Sequence, residues 1–211
     1  MKNLLIVNSS PRRNSVSRQL TRHLAEQWTK ANPGGKVVER DLAADAPPFL
    51  THEWIEASAT PEQQRTPAQH KALELSDTYI AELMAADVIV MGIPMHNFSV
   101  PAPLKAWFDL VTRAGKTFRY GNQGPEGMLG AGKKVLAIVS RGGAYAEGSA
   151  ADFQVPYVRH MLGFVGLKDV TFIAAERQSM GAEAAAVAAE EARRQIASTV
   201  HGADNVAQLA A

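Results

Sequence analysis

The 211-residue chain contains no cysteine. That absence removes disulfide frameworks, iron–sulfur clusters and thiolate nucleophiles at once. Histidine is sparse, and its six residues (His23, His52, His70, His96, His160 and His201) never fall three to five positions apart, so no local zinc motif exists. Long apolar runs are missing as well. No stretch approaches the roughly 20 residues a membrane span needs, and Leu4–Val7 is far too short for the apolar core of a secretion signal. A cytoplasmic protein with no membrane partner and no bound metal is the expectation. Nor does charge of one sign dominate. Lys and Arg total 22 against 21 acids, a formal net charge of +1, without the basic excess of a nucleic-acid binder. What remains is ordinary for a globular chain, 46% hydrophobic and 20% charged.

Strand-like and helix-like segments alternate along the chain. Leu4–Val7 is a short continuous apolar run, the pattern of a parallel strand buried on both faces. Leu20, Leu24 and Trp28 form one stripe of an amphipathic helix over Ser17–Trp28. Asn32-Pro33-Gly34-Gly35 ends that helix and Val37-Val38 opens a second strand. Leu42–Thr66 reads as a long irregular stretch, and loops of such length inside a compact domain are usually functional or mobile. Thr66-Pro67 then starts a helix, with a side-chain cap followed by proline at the first helical position. Leu73, Ile80, Leu83 and Met84 line one face of it. Val88–Ile93 is the most apolar run and the third strand. A short helix over Pro103–Val111 carries Leu104, Trp107 and Phe108, and Lys134–Val139 is the fourth strand. A helix over Phe153–Phe164, a strand over Val170–Ile173 and an alanine-rich helix over Glu183–Ile196 follow. Gly121–Gly127 is glycine-rich but follows no strand and opens no helix, so it reads as a flexible loop carrying Phe118 and Tyr120. Five β/α units imply a parallel sheet with right-handed crossovers and helices on both faces. The expected architecture is a flavodoxin-like three-layer α/β sandwich with a five-stranded sheet of order 2-1-3-4-5. It forms one domain over residues 1–200, with a frayed tail over 201–211.

In such sheets ligands bind beyond the carboxyl ends of the strands, where the strand order reverses. That point lies between the first and third strands and selects three loops. Ser9–Ser17 joins a strand to a helix N-terminus, where free N–H groups and the helix dipole favour an anion. Ser10, Ser15 and Ser17 add hydroxyls, and Arg12, Arg13 and Arg18 add positive charge. The loop reads as a phosphate cradle, though it is neither a Walker loop nor a GxGxxG fingerprint. On the loop alone, plain helix capping explains Ser15 or Ser17 equally well. Pro94–Pro101 offers Asn97 and backbone to the polar edge of a planar heterocycle, with Phe98 and Met95 against its face. Taken alone, an ordinary loop tucking Phe98 into the core explains the same residues, and His96 is either a proton donor or a solvent-facing side chain. The paired glycines of Ser140-Arg141-Gly142-Gly143 allow close backbone approach and an anion-binding nest.

Taken in order, several segments make a recognisable set. They are Pro94–Pro101, Leu104-Lys105-Ala106-Trp107-Phe108-Asp109, Arg113–Tyr120, Gly124-Pro125-Glu126-Gly127, Ser140–Gly143 and Leu162-Gly163-Phe164-Val165-Gly166. The chain resembles, over nearly its whole length, the FMN-dependent NADH:azoreductases, also called NADH:quinone oxidoreductases. The resemblance implies bound FMN, NADH or NADPH as hydride donor, a homodimer, and ping-pong reduction of quinone or azo substrates. Carried over by position, Ser10, Ser15, Val16 and Ser17 would hold the phosphate. Met95, His96, Asn97 and Phe98 would border the isoalloxazine, Ser140, Arg141, Gly142 and Gly143 its pyrimidine side, and Phe98 and Tyr120 the substrate. No side chain is a catalytic acid or base in this reading, because the chemistry belongs to the flavin. Many relatives carry tyrosine where this chain has His96, which touches substrate preference more than flavin binding. Adjacent Trp107 and Phe108 suggest a shared interface, since one core cannot easily bury both sides of a short helix; burial of both in one chain is the alternative. An FMN-binding electron carrier is the rival class, but such carriers are strongly acidic. A nucleotide hydrolase would need a magnesium-and-phosphate motif that the chain lacks.

Overall fold

The computed structural model describes residues 2–130 and 132–208, with side chains through residue 200. Its elements are β1 (Asn3–Asn8), α1 (Val16–Ala31), β2 (Lys36–Asp41), α2 (His52–Ala59), α3 (Pro67–Ala85), β3 (Val88–Pro94) and α4 (Ala102–Val111). They continue with β4 (Phe118–Gly121), β5 (Gly124–Gly127), β6 (Lys134–Ser140), α5 (Val155–Phe164), β7 (Val170–Ala175) and α6 (Ala182–Gln208). The main sheet runs β2-β1-β3-β6-β7 with every pairing parallel. Leaving out the small β4–β5 hairpin, this is the expected 2-1-3-4-5 order.

Side-chain alternation along the central strands builds two cores, one on each face of the sheet. Leu4 and Ile6 of β1 pack with Leu20, Leu24 and Trp28 of α1 and with Ala192 and Ile196 of α6. Leu5 and Val7, one residue out of phase, pack on the opposite face with Tyr79, Ile80 and Leu83 of α3 and with the α4 and α5 side chains. Because β1, β3 and β6 are covered on both faces, they read as continuous apolar runs rather than as alternation. Gly92 marks a tight crossing, since a Cβ there would lie 2.5 Å from Asn8 Oδ1 and 3.0 Å from Thr21 Cγ2. Among the described residues, no helix is long and apolar enough to cross a membrane.

Several expectations change. The Leu42–Thr66 stretch holds α2, capped by the Thr51 hydroxyl on the Trp54 amide, and a 3₁₀ turn at Glu62–Gln64. Eight residues with one buried side chain carry too little apolar period to announce a helix. Gly121–Gly127 is the turn and second strand of an antiparallel hairpin, not a flexible loop. Arg119 and Glu126 pair across it at 2.9 Å. Its underside is fixed where a Cβ on Gly127 would fall 2.1 Å from the Gly166 nitrogen, a contact set by residues distant in sequence. Trp107 and Phe108 are both about 1% exposed, packed edge to face at 5.3 Å within one chain. The interface argument built on them therefore fails: α4 is buried on both sides by its own domain. α6 runs past the expected Ile196 to Gln208. The tail over 201–211 lies outside the described residues in its side chains and, from Leu209, altogether.

The start of α3 at Thr66-Pro67 is as expected and more complete. Thr66 Oγ1 accepts from the Gln69 amide at 3.2 Å, and Gln69 Oε1 accepts from the Thr66 amide at 3.0 Å. Replacing Thr66 with Ala should lower the unfolding free energy by about 1 kcal/mol. Urea unfolding followed by circular dichroism measures this, and an unchanged midpoint would show the box to be dispensable.

Candidate functional site

Three strands of the sheet end together. The β1–β3 register closes at Asn8 opposite Gly92, and the β3–β6 register at Pro94 opposite Ser140. The loops that leave these ends are tied to their neighbours. Ser9 donates to the Gly92 carbonyl through its amide (3.1 Å) and its hydroxyl (2.8 Å). The Met95 amide donates to the Ser140 carbonyl at 2.8 Å. Ser9–Ser17, Pro94–Pro101 and Ser140–Gly143 therefore form one surface where the strand order reverses, as expected from topology.

In the first loop Ser10, Ser15 and Ser17 are all buried. Ser15 caps α1, its Oγ accepting from the Arg18 amide at 3.2 Å, and lies 3.4 Å from Ser17 Oγ. Capping and ligand binding are thus not alternatives here, because the Ser15 hydroxyl keeps its own proton to give. The amides of Val16 and Ser17, first in the helix, find no protein acceptor among the described residues. Orphan donors at a helix N-terminus beside three hydroxyls are the donor set of an anion site. Arg12 and Arg13 are exposed. Arg18, expected to add free charge, is instead paired with Asp41, Nη1 to Oδ2 at 2.7 Å and Nη2 to Oδ1 at 3.0 Å. That guanidinium holds the Asp41 carboxyl below the usual carboxylate range.

The second loop is a two-residue hairpin. His96 and Ser99 exchange amide–carbonyl bonds at 2.9 and 3.0 Å, with Asn97 (φ 46°) and Phe98 (φ 70°) at the tip. Left-handed backbone suits asparagine but strains phenylalanine, by about 1 kcal/mol or more. Phe98 is 53% exposed, so it is not tucked into the core. The amides of Asn97 and Phe98 have no protein acceptor among the described residues. Phe153 joins this edge, donating from its amide to the Phe98 carbonyl at 3.1 Å, and is itself exposed. Outside the hairpin lies a depression of about 510 Å³ whose lining includes His96, Asn97, Lys105 and Tyr157. Burial, helped by the Asp109 carboxylate, pushes the Tyr157 phenol up to about 12, so it stays protonated at neutral pH.

In the third loop the carbonyls of Arg141, Gly142 and Gly143 are taken by the amides of Gln178 (3.0 Å), Ser179 (3.0 Å) and Arg177 (2.9 Å). The amides of Gly142 and Gly143 are left without a protein acceptor among the described residues, as a nest for negative charge requires. Arg141, expected to face the ligand, has no free backbone donor to offer there, because its amide is given to the Ala175 carbonyl at 3.1 Å. Its guanidinium turns inward to Gln154 (2.9 Å), Asp152 (2.8 Å) and Glu176 (3.2 Å), under the ring of Tyr145. Gln154 in turn donates to the Ile93 carbonyl at 2.9 Å, which ties this brace to the end of β3. Nothing local in the sequence marks Asp152, Gln154 or Glu176, which lie 11 to 35 residues from Arg141. Tyr120 stands 77% exposed on β4, supported edge to face by Phe118 at 5.5 Å. Hydroxyls and unpaired amides at one end, and exposed aromatic and amide groups along the other, fit a planar heterocycle bearing a phosphate.

Comparison with known proteins agrees with this fold. The family model described as "Flavodoxin-like fold" matches residues 2–200. The FMN-dependent NADH:quinone oxidoreductase of Hyphomonas neptunium is 49% identical, over 98% of this chain and 100% of its own length. The FMN-dependent NADH:quinone oxidoreductase 1 of Hahella chejuensis is 52% identical, over 82% of this chain and 84% of its own. Among solved structures, an azoreductase from Bacillus anthracis superposes with a TM-score of 0.86 at 30% identity, covering 95% of this chain and 99% of that one.

The Gly127–Gly166 contact predicts that Gly127→Ala detaches the hairpin that presents Tyr120. Hydrogen exchange over residues 118–130 should accelerate by at least about tenfold while β1 and β3 stay protected. Unchanged exchange there would show that the hairpin does not depend on this approach.

Proposed function

The chain belongs to the flavodoxin-like family, and from that premise we propose that it is an FMN-dependent NAD(P)H oxidoreductase reducing quinones and azo compounds. The observation that carries the reading is the meeting, at the sheet's reversal point, of a donor-rich helix N-terminus with a strained hairpin that exposes Asn97 and Phe98. FMN, when bound, accepts hydride from a nicotinamide and delivers it to the acceptor. The residues present hold and orient it. Ser10, Ser15, Val16 and Ser17 would take the phosphate through hydroxyls and amides. Met95, His96, Asn97 and Phe98 would border the ring system, and the Gly142 and Gly143 amides would lower the energy of negative charge at its pyrimidine side. Phe98 and Tyr120, both exposed, would receive flat substrates, and nicotinamide and acceptor would use the same space in turn, a ping-pong order. Asn97 has no useful pKa and Phe98 no proton to give, so both act by orientation.

The reading extends to a single FMN-binding domain over residues 1–200, working in the cytoplasm as a homodimer. Support for the dimer comes from exposed apolar side chains, Phe49, Ile55, Phe98 and Phe153 among them, which a second copy would cover. A flavodoxin-type carrier is disfavoured by the net charge of +1.

Purified protein should be yellow, release FMN on heating and oxidise NADH or NADPH with a quinone acceptor. A protein that cannot be reconstituted with FMN would defeat the reading, and a monomer by light scattering would defeat the dimer. Asn97→Gly keeps the left-handed turn and removes only the amide, so FMN binding should weaken by about 1–3 kcal/mol. His96→Ala should leave both half-reactions, flavin bleaching by NADH and re-oxidation by quinone, near their normal rates in rapid mixing. Re-oxidation slowed about a thousandfold with normal bleaching would instead make His96 a general acid.

A further inference from the structure

Arg18 occupies an unfavourable place. It lies in the first turn of α1, where a cation opposes the helix dipole, and its charge is already matched by Asp41 at the end of β2. Neither helix stability nor attraction of an anion accounts for it. Its geometry does. Nη2 carries two protons, one donated to Asp41 Oδ1 at 3.0 Å and the other to the Ser10 carbonyl at 2.7 Å, while Nη1 donates to Asp41 Oδ2 at 2.7 Å. The Arg18 amide meanwhile donates to Ser15 Oγ at 3.2 Å. One residue thus touches both ends of the serine loop, from Ser10 to Ser15. Asp41 is held in place separately, Oδ1 also accepting from the Ala43 amide at 3.1 Å. The remaining bonds of residues 10–14 are internal turns, apart from a 3.4 Å contact between Gln19 and the Asn14 carbonyl.

We propose that Arg18 and Asp41 form a clamp that positions the Ser10–Ser17 loop for the cofactor's phosphate, so that the pair sets affinity for the phosphorylated flavin without touching it. The inference rests on the proposed FMN site. It separates from that reading because riboflavin shares the ring system of FMN and lacks the phosphate. Loosening the loop lowers affinity for FMN and leaves riboflavin binding through the Asn97 and Gly142 edges as it was. The planar fork is essential: a lysine ammonium keeps the charge but cannot hold Asp41 in bidentate fashion and the Ser10 carbonyl at once.

Apoprotein of the wild type and of Arg18→Lys, Arg18→Gln and Asp41→Asn is titrated with FMN and with riboflavin, by flavin fluorescence. The wild type should prefer FMN. Each variant should bind FMN about 10- to 100-fold more weakly and riboflavin within about twofold of wild type, so the preference for FMN shrinks. The double variant Arg18→Gln/Asp41→Asn should be no worse than Arg18→Gln alone. A wild type that binds neither flavin overturns the proposed function itself. Variants that keep the full preference for FMN, or that lose both flavins in equal proportion, overturn the clamp and leave the function standing. Should Arg18→Gln fail to fold, Asp41→Asn, which preserves side-chain shape, carries the same comparison.

Discussion

The proposed site depends above all on the backbone N–H groups that the fold leaves unmatched at the N-terminus of α1. A helix cannot satisfy its first amides internally, and here those of Val16 and Ser17 emerge where β1 and β3 both end. Moving α1 by one residue, or ending β1 later, would point those donors elsewhere. The sheet holds them in place. Strands covered on both faces cannot shift register without carrying apolar side chains between two separately packed cores. The parallel pairing that makes this possible also requires crossover helices, and the reversal of crossover direction opens the crevice.

Around that fixed edge the protein places strain and then braces it. Asn97 and Phe98 adopt left-handed backbone at the hairpin tip, an arrangement that persists only when its surroundings impose it. His96 and Ser99 close the hairpin, the Phe153 amide holds the Phe98 carbonyl, and Met95 is pinned to Ser140. A buried guanidinium then links the β6 loop to the start of α5 and the end of β7 through Asp152, Gln154 and Glu176. Such a charge is tolerated inside only because two carboxylates and an amide oxygen surround it. Arg141 and Arg18 play parallel parts: each spends its charge on carboxylates that folding brings to it, and each keeps a further donor for a neutral oxygen, the Gln154 amide oxygen for Arg141 and the Ser10 carbonyl for Arg18.

The sequence by itself determined the elements whose signals are local and periodic. Continuous apolar runs marked β1, β3 and β6, the Leu20–Leu24–Trp28 stripe marked α1, and Thr66-Pro67 marked the start of α3. From the alternation of these elements followed the sheet order and the three loops that meet where it reverses, because parallel topology permits few arrangements. Tertiary structure decided what depends on distant partners. The β4–β5 hairpin has weak strand propensity, and its shape rests on close approach of Gly127 to Gly166. The orientation of Phe98 follows from two consecutive left-handed residues, which asparagine hints at and phenylalanine conceals. Whether Trp107 and Phe108 faced a partner or one core turned on how the sheet and α5 close over α4, since Phe108 meets Tyr157, 49 residues further on, at 5.8 Å. Arg18 and Arg141 look alike in the sequence to any exposed basic residue. Only the carboxylates brought to them by folding, Asp41 from β2 and Asp152 and Glu176 from beyond β6, turn both from free charges into supports, because an ion pair's geometry belongs to the fold rather than to either residue.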